Sequence, residues 1–503
     1  MRFQYKHIGI GLLVVLLAHF KSRGQGSSPV FLYPAPVADS ARLTQLATAR
    51  RVVVRSHLPI PTTGSRDYRT HYREAVDDLA SHVYRTIRYT ALTDTVLAPA
   101  VQRVFARVQQ ANPQLPPAQL VLTRSPEPNA YAAGDGTIFL NVGLLPLLEN
   151  ESQLAFIFGH ELAHLQARHM ERGLHKQLTV LLSRELRQQV REVGRSQYHR
   201  QARLEALGLG LKLSRTFHAR QYEQQADSLG YVFLRACGLA NPQAYRALQV
   251  LDHADETSAG AGPDLGRFFS CTAHPHAFAT AAPGKGSIFA PRAAPTAFEL
   301  SDTLKTHPGC PRRMAFIRTL AGGAVAEGPQ PVAPAFERLR AQARLEVVQS
   351  WFDYDSYDRA LFDALRLLRE QPDQLYLRAV VQLALFGLHE HLQAHTVNDV
   401  LSNPDPAEPA EFRAFLTTLY ELRAADVPAF SRCFADTAPA STAPAPTDEF
   451  SLAARYAAAA LAGDPAAAAA RADYRRRFVA GHFTDLLKEP APVAGDAKKA
   501  GGR

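Results

Sequence analysis

Cysteine is scarce in this chain. Four occur among 503 residues, at 237, 271, 310 and 433, too few for a disulfide-scaffolded fold but compatible with one or two bridges of open connectivity. No two form a close CxxC pair, which argues against a cysteine-built zinc module. Long apolar runs are also missing. The stretch Ile8 to Phe20 has thirteen residues, against about 20 for a bilayer crossing, and residues 70–320 lack the several apolar spans of an intramembrane enzyme. There is no Gly-x-Ser-x-Gly elbow and no phosphate-binding glycine loop, so serine-hydrolase and nucleotide-dependent readings have no support.

Charge of one sign is modest as well. The formal charge is +9, but residues 1–26 carry four basic and no acidic side chains, leaving about +5 for a chain starting near residue 27. Nucleic-acid binding is not suggested. Arg2 and Lys6 precede the apolar run, and Ser22, Gly24 and Gly26 follow it, the pattern of a cleavable signal peptide over residues 1–26. The expectation is an exported protein, periplasmic or envelope-associated, with an uncleaved anchor as the alternative. No cysteine follows the run, which speaks against a lipoprotein anchor.

What is present points to metal chemistry. His160-Glu161-Leu162-Ala163-His164 places two imidazoles four residues apart, which on a helix lets them hold one Zn²⁺ while Glu161 projects beside the open coordination position. Asn150 and Gln153 form a capping-box-like start, and Leu154, Ile157 and Phe158 continue the helical phase. A catalytic zinc needs a third protein ligand. Glu223 is the candidate, in a helical stretch where Asp227 lies one turn on, placed to accept the free ring N–H of a ligand histidine. By itself this carboxylate pair also describes a solvated helix face.

These residues carry a family resemblance. The chain resembles the gluzincin metallopeptidases that include the HtpX heat-shock protease, the CAAX prenyl protease and the periplasmic chaperone-protease BepA. Four blocks match in order: Asn129-Ala130-Tyr131-Ala132 followed by Gly136 to Leu145; His160 to His169 (HELAHLQARH); Glu223 to Asp227; and Thr306-His307-Pro308 with Arg313. The resemblance spans roughly residues 70–320. It implies one Zn²⁺ per chain held by His160, His164 and Glu223, Glu161 as general base, and Asp227 as partner of a ligand histidine. It further implies that His307 and Arg313 lie beside the metal, His307 as a removable fourth ligand or a transition-state stabiliser. It makes Asn129, Ala130 and Tyr131 candidate substrate contacts. A competing His274-Pro275-His276 has Thr280 where the arginine should stand, so His307 is preferred.

The expected reaction is amide hydrolysis, with Glu161 taking a proton from water and passing it to the leaving amine. His307 or Arg313 would supply part of the charge opposite the oxyanion. The apolar segment Thr137 to Leu145 reads as a strand. In the family its exposed edge pairs with extended peptide; read from the residues alone, an ordinary core strand is preferred.

The predicted fold class is mainly α (α+β): a helical zincin-type metallopeptidase domain with a small β-sheet over residues 40–321 (core 70–320), then an α-helical C-terminal domain over 335–487. A Gly/Ala/Pro-rich insertion at 256–295 reads as a long loop, either lid or disordered. A linker occupies 322–334, and a polar tail 488–503. Ala360, Ala364, Leu367 and Pro372 fit half of a tetratricopeptide-like helix pair, with Trp351 and Tyr354 in the preceding helix; a generic bundle is the alternative. A second Pro/Ala/Thr-rich linker at 435–447 precedes an Ala-rich helical pair from Leu452 to about Leu487. The basic region 171–220 could touch an anionic membrane surface or acidic substrates, with a solvated helical pair as the plainer reading. His391 and His395, also four apart, lack the intervening motif and read as surface histidines. Together these features predict an exported zinc endopeptidase acting on unfolded or misassembled envelope proteins, with the C-terminal helices as a client-binding or docking module. The alternative is a client-binding chaperone or assembly factor whose zinc site is latent.

Overall fold

Helices come first among the described residues, and a computed structural model describes residues 37–93, 97–195, 220–254, 262–271, 310–405, 408–437, 448–479 and 481–484. The signal-peptide residues 1–26, the His274 and His307 motifs and the tail 488–503 lie outside the described residues. Two compact units result. The first holds the described residues of 41–255 and 295–347, and the second those of 32–40, 256–294 and 348–503, so two divisions fall inside helices, after Ser40 and after Val347.

Helix α1 (Val37–His57), in the first unit from Ala41 on, precedes α2 (Arg66–Thr90). Ser65 caps α2 by accepting the Tyr68 N–H. Tyr72, Val76, Ala80, Val83 and Ile87 then recur every three or four residues and bury one stripe. Helix α3 (Leu97–Ala111) repeats the pattern with Leu97, Val101, Val104, Phe105 and Val108.

Three short strands follow: β1 (Gln119–Thr123), β2 (Ala130–Ala132) and β3 (Thr137–Asn141). Their order is β1-β3-β2, with β1 parallel and β2 antiparallel to β3. The sheet separates two cores because strand side chains alternate. Leu120, Leu122, Ile138 and Leu140 join one core, whereas Val121 and Phe139 join the core containing Tyr72 and Val76. β3 is central and buried along its whole length, the core strand that its residues favour, whereas the exposed edge that the resemblance implies for this segment is not found there: β1 and β2 flank the sheet. The strand also stops early, because Val142–Leu147 turns into a 3₁₀ helix containing Pro146. Gly143 is required there, since a Cβ would lie 1.8 Å from the Pro126 carbonyl oxygen. Arg50 of α1 fixes the approach to β3, its Nη2 meeting Asp135 Oδ2 at 2.8 Å and its Nε donating to Thr137 Oγ1 at 2.9 Å.

Helix α4 (Glu151–Gln166) is apolar nearly all round and is buried accordingly. The rings of Phe105 and Phe158 meet edge to face at 5.2 Å. Burial of such a ring is worth about 1.5–3 kcal/mol. Helices α5 (His169–Leu181), α6 (Arg184–Arg195), α7 (residues 220–236) and α8 (Gln243–Asp252) follow, then α9 (Cys310–Leu320) and α10 (Pro334–Asp353).

The second unit is helical among its described residues: α11 (Tyr357–Glu370), α12 (Leu375–Gln393), α13 (Ala410–Tyr420), α14 (Val427–Asp436), α15 (Glu449–Leu461) and α16 (Ala466–Arg477). Gln382 and Ser431 exchange hydrogen bonds of 3.0 and 2.6 Å between α12 and α14. The insertion at 256–295 departs from a plain loop where it is described. Leu265–Phe269 form a short helix whose Phe268 and Phe269 pack on Phe430 and Phe434, and Cys271 is disulfide-bonded to Cys433. Its order comes from partners more than 150 residues away, which local periodicity does not reveal. Among the described residues no helix is long and apolar enough to cross a membrane.

Candidate metal centre

Helix α4 starts where the sequence says it should. Asn150 Oδ1 accepts the Gln153 N–H at 3.1 Å, and Gln153 Oε1 accepts the Glu149 N–H at 2.9 Å. Gln153 Nε2 also donates to Glu149, which is clamped by Arg246 at 2.6 Å. Burial opposes ionisation of Glu149, but these bonds outweigh it and hold the carboxyl below its usual range.

From this start, His160 and His164 emerge one turn apart on the same face. Helix α7 brings Glu223 to them. The two histidine Nε2 atoms are 3.0 Å apart, and the Glu223 oxygens lie 3.4 Å from each. A tetrahedral zinc with bonds of about 2.0–2.1 Å spaces its ligand atoms by about 3.3 Å. The spacing and the N, N, O donor set therefore fit Zn²⁺. Among the described residues this is the one grouping of His, Cys, Asp and Glu able to hold a metal, and it does not include His391 or His395.

Asp227, one turn after Glu223, meets His160 Nδ1 at 3.0 Å, leaving Nε2 to face the site. Burial opposes a charged His160, yet Asp227 and Glu223 overcome it and push its pKa up to about 10. A proton and a metal compete for that Nε2. Asp227 is itself wholly buried, and Arg313 of α9 together with His160 keeps it ionised against that burial. Arg313 donates Nε and Nη2 to the two Asp227 oxygens at 2.7 Å and sets Nη1 2.9 Å from Glu223. The guanidinium is thus directed at the carboxylates that build the site.

Glu161 is 3% exposed and shares a small hollow with His160 and Arg313, walled by Ala130, Leu144, Ile157 and Leu251. Asn129, Ala130 and Tyr131 lie at or in edge strand β2; the Asn129 carbonyl accepts the Asn141 N–H, and Tyr131 stacks on Phe139. His307 lies outside the described residues.

Sequence reasoning missed three contributors. His169 closes the HELAHLQARH block, and its Nδ1 lies 2.9 Å from His164 Nδ1 while its Nε2 lies 3.0 Å from Gln225 Oε1. Burial pushes His169 down to about 4, so the ring is neutral near pH 7. Gly159 and Gly230 are the others. A Cβ on Gly230 would stand 2.9 Å from the His160 backbone nitrogen, so α4 and α7 meet through bare backbone. Small residues in two helices were the available signal.

Residues 92–321 match peptidase family M48. This region is an M48 metallopeptidase-family domain. Among curated relatives, the beta-barrel assembly-enhancing proteases of Escherichia coli and Shigella flexneri are each 28% identical over 193 residues, covering 36% of this chain and 38% of theirs. The mitochondrial metalloendopeptidase OMA1 of Schizosaccharomyces pombe is 41% identical over 51 residues, 10% of this chain and 15% of its own. The match to the bacterial relatives thus spans less than half their length.

Proposed function

We propose that this protein is a zinc-dependent metalloendopeptidase, exported and acting on unfolded or misassembled envelope proteins. The observation that carries the reading is the convergence of His160, His164 and Glu223 at zinc-ligand spacing beside the buried carboxylate of Glu161. Zinc bound there supplies a Lewis acid for a peptide carbonyl and for water. Glu161 takes the proton of the attacking water and delivers it to the departing amine nitrogen. Asp227 orients His160, and Arg313 balances the charge of both carboxylates. The outer edge of β2 offers backbone groups for an extended peptide, and the hollow beside Glu161 suits an apolar side chain.

Two features support the cellular setting. A Cys271–Cys433 bridge suits an oxidising compartment. The bacterial relatives are named for a role in beta-barrel assembly, an envelope process. The helices after α10 serve, in this reading, to hold client chains.

The test is zinc content together with casein cleavage for the wild type and Glu161→Gln. Zinc near one per chain with cleavage reduced at least about 100-fold in the variant is the expected result. Stoichiometric zinc without cleavage in the wild type would replace the peptidase with a client-binding factor whose site is latent.

A further inference from the structure

His164 and His169 are five residues apart, and on one continuous helix their side chains would diverge by about 140°. They meet because the helix is interrupted. Arg168 adopts a left-handed conformation (φ 52°), ending the turn after α4 and restarting the chain as α5 at His169. A non-glycine residue in that region costs about 1 kcal/mol or more, so the packing that follows it must offset the strain. That packing includes the approach of His169 Nδ1 to His164 Nδ1 at 2.9 Å, in a ring that is buried and stacked on Tyr222 at 4.4 Å.

We propose that His169 is a positioning residue that fixes His164 as an Nε2 ligand, with Gln225 setting the tautomer of His169. The inference rests on the reading of His160, His164 and Glu223 as a metal centre.

The chemistry runs in one direction. A metal at His164 Nε2 needs the lone pair there, so the His164 proton sits on Nδ1. That N–H needs an acceptor, and the atom facing it is His169 Nδ1. A neutral imidazole accepts at one nitrogen only if its proton is on the other. The His169 proton is then on Nε2, where Gln225 Oε1 accepts it at 3.0 Å. If His169 held the opposite tautomer, two N–H groups would face each other at 2.9 Å, and His164 would be driven to carry its proton on the metal-binding nitrogen. His160 uses a different support, its Nδ1 lying 3.0 Å from the Asp227 carboxylate. The two ligand histidines are therefore supported unlike each other, one by an anion and one by a neutral relay. Helix α7 supplies both the third ligand, Glu223, and the end of the relay, Gln225.

The experiment is zinc affinity by competition with a chelating dye, on the full chain, for the wild type, His169→Phe, Gln225→Met and Gln225→Glu. Circular dichroism of each metal-free protein checks folding. Cobalt(II) substitution reports the ligand field without any need for turnover. His169→Phe keeps the ring on Tyr222 and should weaken zinc binding about 10- to 100-fold and shift the cobalt spectrum. Gln225 is exposed, so its variants should fold whatever happens to His169→Phe. Gln225→Met should cost several-fold in affinity, and Gln225→Glu, which can only accept, should restore wild-type binding. Wild-type affinity in both His169→Phe and Gln225→Met would overturn the relay. Equal losses in Gln225→Met and Gln225→Glu would do the same. A wild type that takes up no zinc would instead remove the metal-centre reading itself.

Discussion

Arg313 grips Asp227 in a fork, Nε to Oδ2 and Nη2 to Oδ1, both at 2.7 Å, and reaches Glu223 with its remaining nitrogen. Removing one partner of such a buried pair leaves an uncompensated charge, which typically costs about 3–5 kcal/mol. Arg313→Met should therefore destabilise the M48 domain by about that amount in urea unfolding. Arg313→Lys, with a point charge in place of a planar fork, should recover only part of the loss. A loss below about 1 kcal/mol in Arg313→Met would contradict this account.

Gly230 packs against the His160 backbone with no room for a methyl group. In Gly230→Ala the helices must separate, at a cost of about 1–3 kcal/mol. Because Glu223 rides on the same helix, the variant should also bind zinc more weakly than the wild type. Calorimetry and dye competition on one preparation would report both, and unchanged zinc affinity would mean that α7 shifts without carrying Glu223 away.

Glu149 is held below its usual pKa by Arg246 and Gln153, so its contribution to stability has a defined sign. A group with a lowered folded-state pKa adds stability above its unfolded value, about 4.5, and loses it as pH falls through the folded value. The difference in melting temperature between the wild type and Glu149→Gln should be full at pH 6–7 and shrink as pH is lowered below about 4.5. A difference that grew toward acid would reverse the assignment.

Cys271 and Cys433 form a disulfide, whereas Cys237 and Cys310 are buried thiols. A thiol reagent should find essentially none in the native oxidised protein and two per chain after denaturation without reductant. Closing a loop of this length stabilises by at most about 5 kcal/mol in the chain-entropy account. Cys433→Ser should accordingly lower the melting of the helical unit by several degrees, and an unchanged transition would show that the bridge is not formed.

The parts of the site that were legible in sequence share one property: each depends on helical periodicity. The spacing of His160 and His164 put both rings on one face, and the single turn from Glu223 to Asp227 sent one carboxylate to the ligand position and the other to His160. The cap at Asn150 was legible for the same reason. What escaped depended on distant partners. The residues of Thr137–Asn141 favour a core strand, as found, but no pattern within them encodes which strands are its neighbours. His169 acquired its role from one left-handed residue, Arg168, with no glycine there to announce it. The Leu265–Phe269 helix rests on aromatics that follow far downstream.

The Cys271–Cys433 bridge has a practical side for a protein read as a peptidase. Every peptide bond from Cys271 to Cys433 lies inside a covalently closed ring. A molecule that nicked itself, or was nicked by a neighbour, anywhere in that ring would stay in one piece and keep its mass apart from one added water. Its two fragments would separate on a gel only after reduction, so an intact band under oxidising conditions says nothing about autolysis within the ring.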